Sequence, residues 1–155
     1  MVISVETRAR IDAEIARFPR KRGALLAALR WVQEEAGWIS PELGAELAGI
    51  FEMRPVEVME VLSFYNMFSS HPTGRHQVRV CTNLPCSLRG SRELLRRLEH
   101  HLGVESGETT KDGRITLGHE ECLGGCAWAP MMRVDHVYHE DLDLEKALRI
   151  LETLE

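Results

Sequence analysis

Four cysteines stand in two close pairs. Cys81 and Cys86 enclose the four residues Thr-Asn-Leu-Pro, Cys122 and Cys126 enclose the three residues Leu-Gly-Gly, and 35 residues lie between the pairs. Four thiolates are a complete ligand set for a 2Fe–2S cluster, two per iron. They are equally a complete set for one tetrahedral zinc. Spacing favours the first, because structural zinc sites favour a two-residue gap that makes a tight knuckle. Gaps of four and three residues suit two ligands reaching one iron of a wider, two-centre cluster. Gly124 and Gly125 add to this, since glycines let the backbone approach sulfur closely and turn its N–H groups toward it. Arg89 and Gly90, just past Cys86, are placed to do the same from the other side.

Other chemistries fit less well. A thioredoxin-type redox pair needs Cys-x-x-Cys, which neither pair offers. His119 and His136 lie near the pairs, but four cysteines already close a site, so both are read as surface or hydrogen-bonded residues. There is no G-x-G-x-x-G for a dinucleotide and no G-x-x-x-x-G-K-[ST] for a nucleotide. Glu120 and Glu121 beside Cys122 are read as a solvated carboxylate pair whose charge would disfavour adding an electron nearby.

The bulk properties set the compartment and the scale. A chain of 155 residues with 44% apolar residues can build a real core. A net charge of −5 argues against nucleic acid as a partner. No apolar run is long enough to span a bilayer, which predicts no direct membrane insertion. Residues 1–10 carry charge early and lack an apolar h-region, which predicts no signal peptide. The cysteines are therefore expected in a reducing cytosol, where close pairs bind metal or do redox work rather than form structural disulfides.

Two kinds of element must position the cysteines. Residues 1–70 show helical periodicity and almost no strand signal. Residues 5–17 read as a helix with Ile11 and Ile15 on one face, stopped at Phe18-Pro19. Leu25, Leu29, Val32 and Ala36 follow at helical spacing, and Gly37 ends that run. Ser40-Pro41-Glu42 reads as an N-cap, a first-turn proline and a charge suited to a helix start, with Leu43, Leu47 and Ile50 as the stripe. Pro55 opens a fourth helix with Val58, Val61, Leu62 and Tyr65 predicted inward. Four short helices predict a small bundle, read as a packing and docking module. Trp31, Trp38, Phe64, Tyr65 and Phe68 are read as core or interface residues, and Arg20-Lys21-Arg22 as a solvated helix start.

His71-Pro72-Thr73-Gly74 is turn-rich and marks the predicted boundary between 1–70 and 71–155. Residues 77–80 read as a strand running directly into Cys81. Residues 91–102 read as a helix with Leu94, Leu98 and Leu102 as its stripe. Residues 114–117, 131–135 and 137–139 read as three further strands, with Asp135-His136 as the last hairpin turn. Leu144, Ala147, Leu148, Leu151 and Leu154 mark a final helix capped by Asp141 or Asp143. The class predicted is α+β: a helical bundle, then a domain with four short strands. Each cysteine pair follows a strand end, where α/β folds hold ligands. If strands 77–80 and 114–117 lie near each other, the two loops meet at one edge.

The runs FYNMF…PTGRHQVRVCTNLPCSLRG and ECLGGCAWAPMMRVD, with LLAALRWVQEEAGWIS and PVEVMEVLSFY upstream, resemble the thioredoxin-like 2Fe–2S ferredoxins. That family includes a small subunit of bacterial NADH:quinone oxidoreductase, respiratory complex I. The resemblance covers residues from about 10 onward. It implies a thioredoxin-like second domain with a short mixed four-stranded sheet, and Cys81, Cys86, Cys122 and Cys126 as ligands of one 2Fe–2S cluster. It also implies an electron-transfer subunit that exchanges electrons with the FMN of a partner flavoprotein, the NADH-binding subunit. FMN and NAD would enter only through that partner, and further complex I subunits would be neighbours. The assembly would sit at the cytoplasmic side, peripheral to the inner membrane, and the isolated chain would not be catalytic. The same module occurs in NAD-linked hydrogenases and formate dehydrogenases, so a diaphorase subunit is a second reading. A zinc-stabilised protein-interaction module is a third, from a different class.

Overall fold

The computed structural model describes residues 2–155. The chain falls into two compact units that divide between Pro72 and Thr73.

The first unit is helical. Helices α1 (Val5–Ile15), α2 (Leu25–Ala36), α3 (Pro41–Phe51) and α4 (Pro55–Phe64) bury one shared core. Their boundaries follow local chemistry. Ser4 caps α1 by accepting from the Thr7 N–H at 3.2 Å, and Ser40 caps α3 by accepting from the Leu43 N–H at 3.3 Å. Gly37 ends α2 at φ 81°, a conformation costly for any residue with a Cβ. Ile11, Leu29, Val32, Leu47, Val58 and Leu62 fill the middle. Lys21–Ala24 forms a 3₁₀ turn, where Lys21 pairs with Glu52 and Arg22 reaches Glu57 at 3.3 Å. Tyr65 departs from expectation. It lies one residue beyond α4 and is exposed, because its backbone has turned to an extended conformation. Phe68, three residues on, takes the buried position instead.

The second unit is a four-stranded sheet with helices on one face. Its strands are β1 (His76–Cys81), β2 (Ile115–Glu120), β3 (Met132–Val134) and β4 (Val137–His139), in the order β2-β1-β3-β4. β1 runs parallel to β2 and antiparallel to β3, and β3 pairs antiparallel with β4, so the sheet is mixed. A short helix, α5 (Leu84–Leu88), follows β1. Helices α6 (Ser91–Leu102) and α7 (Leu144–Glu152) pack Leu94, Leu98, Ala147 and Leu151 onto Val78, Val80, Ile115, Leu117, Met132 and Val134. Asp143 is the residue that caps α7.

Two differences from the sequence-based expectation matter for the site. Helix α5 occupies what reads as a plain loop, with Asn83 as its N-cap and Pro85 in its first turn. β2 is also displaced, reaching Glu120 rather than stopping at 117, so it delivers the chain almost to Cys122. Where the chain enters this unit, Gly74 passes so close to β2 that a Cβ would lie 2.9 Å from the Ile115 backbone. Its N–H donates to Thr116 Oγ1 at 2.6 Å.

Candidate metal centre

The parallel pairing of β1 with β2 decides the geometry. Cys81 is the last residue of β1 and lies in register with Glu120, the last residue of β2. The chain therefore leaves both strands at the same end of the sheet. Two hydrogen bonds hold the loop roots: the Cys81 N–H donates to Met131 O at 3.0 Å, and the Thr82 N–H donates to Glu120 O at 2.9 Å.

The four cysteines arrive by different routes. Cys81 ends a central strand and Cys86 sits on α5, and both are buried, at 2% and 1% exposure. Cys122 and Cys126 are exposed, the second opening a 3₁₀ turn, Cys126–Trp128. Leu123, between the two exposed cysteines, packs against a small apolar nest of Cys81, Cys86, Ala129 and Met131. The two loops are thus in contact. All four thiols are free.

Backbone N–H groups reach two of the four sulfurs. The Gly124 N–H donates to Cys122 Sγ at 3.3 Å, with Gly124 at φ 79°. Burial pushes the Cys86 thiol up to about 11; the hydrogen bond with Cys81 and the charges of Cys81 and Cys126 add to the rise, and an N–H from Met131 opposes it. One buried and one exposed thiol pair, on touching loops with an N–H aimed at sulfur, match the donor chemistry of a two-iron cluster.

Several neighbouring residues differ from what the sequence alone suggests. The N–H groups of Arg89 and Gly90 are taken by carbonyls at the end of α5, not turned toward sulfur. Glu120 is not solvated: its side chain is 12% exposed and lies 3.8 Å from Arg133. Glu121 is exposed as expected. The His119 ring hydrogen-bonds Ser106 Oγ at 2.9 Å, which accounts for it without a metal. Met131 and Leu123, which line the site, carry no signal in the sequence beyond being apolar.

A profile of the family described as Thioredoxin-like [2Fe-2S] ferredoxin matches residues 11–155, both cysteine pairs included. The chain belongs to the thioredoxin-like 2Fe–2S ferredoxins. One 2Fe–2S cluster is accordingly its cofactor. The chain is 41% identical over 146 residues to the E 2 subunit of the NADH-quinone oxidoreductase of Rhizobium meliloti (strain 1021), covering 94% of this chain and 87% of that one. It is 40% identical over 127 residues to NADH-quinone oxidoreductase subunit 2 of Thermus thermophilus, covering 81% of this chain and 70% of that one. Among solved structures, the NAD+-reducing [NiFe]-hydrogenase in the air-oxidized state matches with a TM-score of 0.73 at 26% identity over 83% of this chain. The chain spans only 22% of that hydrogenase chain. Among the described residues no helix is long and apolar enough to cross a membrane.

Proposed function

We propose that this ferredoxin is the electron-transfer subunit of an NADH:quinone oxidoreductase, and that Cys81, Cys86, Cys122 and Cys126 hold its 2Fe–2S cluster. The observation that carries the reading is the parallel register of β1 and β2, which brings both cysteine loops to one end of the sheet. When bound, such a cluster accepts and returns one electron without a proton. The residues around it do the rest. Cys81 and Cys86 anchor one side in a dry apolar nest with Met131. Cys122 and Cys126 face outward, on the side where a donor or acceptor can approach. The Gly124 N–H offsets negative charge on Cys122 Sγ.

In this reading the electrons exchange with the FMN of an NADH-binding flavoprotein subunit, so FMN and NAD belong to that partner and the isolated chain is not a dehydrogenase. The helical unit, expected from the sequence over residues 1–70, is the docking module. It offers an aromatic patch in which Phe64, 80% exposed, meets Tyr65 edge-on at 5.1 Å. The assembly lies peripheral to the inner membrane at its cytoplasmic side. A second reading, a diaphorase subunit of an NAD-linked hydrogenase, is favoured by the structural match to the NAD+-reducing enzyme.

The test is iron per chain, visible absorption and the EPR spectrum of the dithionite-reduced full chain, compared with four single Cys→Ser variants. Each variant is expected to lose iron or change its spectrum. An unchanged spectrum and iron content in Cys126→Ser would remove that ligand assignment. A colourless parent chain holding zinc would replace the redox reading with an interaction module. Subunits that co-purify with the native assembly separate the quinone-linked reading from the hydrogenase reading.

A further inference from the structure

We infer that Arg79 and Arg133, on the sheet face that carries Cys81, are positioning residues that raise the reduction potential of the cluster. The inference rests on the ligand reading above.

Side chains alternate along a strand. Val78 and Val80 point into the core under α6 and α7, so Arg79 and Cys81 share the opposite face. In register across the sheet, Arg79 meets Gly118 of β2 and Arg133 of β3, and Cys81 meets Glu120. Two guanidiniums and one carboxylate therefore occupy the rows at and next to the first ligand. Arg133 Nη2 lies 3.8 Å from Glu120 Oε1, with the two side chains 24% and 12% exposed. Burial bears most on the Arg79 guanidinium, which Glu120 favours and Arg133 opposes. In these rows the two guanidiniums outnumber the one carboxylate, and Arg133 and Glu120 are largely shielded from solvent.

Arg79 lies flat along the sheet. A Cβ on Gly118 would overlap Arg79 Nη1, so the guanidinium lies across β2 where only glycine leaves room. Arg79 Nη2 donates to Gln77 Oε1 at 3.3 Å. The Nε–H of Arg79 and of Arg133 are both buried without a hydrogen-bond partner. Two adjacent like charges with unmet donors do not stabilise a fold. They do stabilise negative charge arriving nearby.

Reduction supplies that charge. One electron, from dithionite in vitro or from a reduced flavin in the assembly, converts one of two ferric ions to ferrous; no bond breaks and no proton moves. The added negative charge is favoured by the excess positive charge beside Cys81.

The experiment is an EPR-monitored dithionite titration of the cluster-loaded full chain at fixed pH and salt. Arg79→Met and Arg133→Met are expected to lower the midpoint. Glu120→Gln, which removes the opposing charge while keeping the side chain's size, is expected to raise it. A tenfold change in the reduced-to-oxidised ratio reads as about 59 mV for one electron. Arg79→Lys, which keeps the charge, is expected to restore the parent midpoint. Loosened packing would move all variants the same way, so the opposite signs are diagnostic. Shifts of one common sign, or an unchanged midpoint in Glu120→Gln, would overturn the inference, and the second decides even if the arginine variants fail to fold. A parent chain that binds no iron would instead refute the ligand reading on which it rests.

Discussion

Gly125→Ala is the sharpest steric probe of the site. Gly125 lies at φ −98° and ψ 48°, so alanine meets no left-handed strain there. The space is the obstacle: a Cβ would lie 2.6 Å from Met131 Sδ and 2.8 Å from Met131 Cε. Ordinary carbon contacts are optimal at about 3.5–4.0 Å, so the overlap approaches about 1 Å. Met131 is 2% exposed and packed with Cys81, Cys86 and Ala129, so its thioether has to re-pack inside that nest. Overpacking of this kind costs about 1–3 kcal/mol. The path of least resistance is outward movement of the exposed loop, which carries Cys126 with it. We expect a lower urea midpoint of the full chain by circular dichroism, and less iron per chain. Met131→Val removes the clashing sulfur and methyl, so the double variant should recover part of the loss, with a coupling of about 0.5–3 kcal/mol. Strict additivity of the two substitutions, or parent-like iron content in Gly125→Ala, would refute the packing argument.

Two further outcomes follow from local chemistry. Asn83 Oδ1 accepts from the Leu84 N–H at 2.8 Å at the start of α5. Asn83→Ala should therefore destabilise the helix that presents Cys86 by about 1 kcal/mol and speed iron loss to a chelator; an unchanged loss rate would show that the cap does not hold Cys86. In the helical unit, the Arg54 N–H donates to Glu57 Oε2 at 3.0 Å, and this bond, with help from the Arg54 and Arg22 charges, holds the Glu57 carboxyl below its usual 4.5. A lowered folded-state pKa gives stability that is present above the unfolded value and lost as pH falls through the folded one. Glu57→Gln should thus be less stable than the parent at neutral pH, with the gap closing below pH 4.5; a gap independent of pH would contradict the assignment.

What is legible in the sequence is what local rules control. The helix at 91–102 and the strand at 137–139 match the structure residue for residue, because their leucine period, a closing glycine and a two-residue turn are encoded within each segment. Ser40 and Gly37 likewise announce helix ends through capping chemistry. Helix α5 escapes a sequence reading although Asn83 and Pro85 are ordinary helix-start residues, since five residues give no periodicity to read. Tyr65 looks inward-facing only if the α4 stripe is extended one residue too far. Glu120 looks solvated because nothing local reveals that Arg133, thirteen positions later, lies across from it.

The sequence by itself determined the four cysteines and their spacing in two pairs, every helix and strand long enough to show a period, and the family. Only the tertiary structure decided that β1 and β2 lie side by side and parallel, that one thiol pair is buried and the other exposed, and that two arginines share a face with Cys81. Those facts depend on strand pairings between segments more than thirty residues apart in the chain. Such pairings are chosen by burial of the whole sheet against α6 and α7, a quantity that no single window of residues contains.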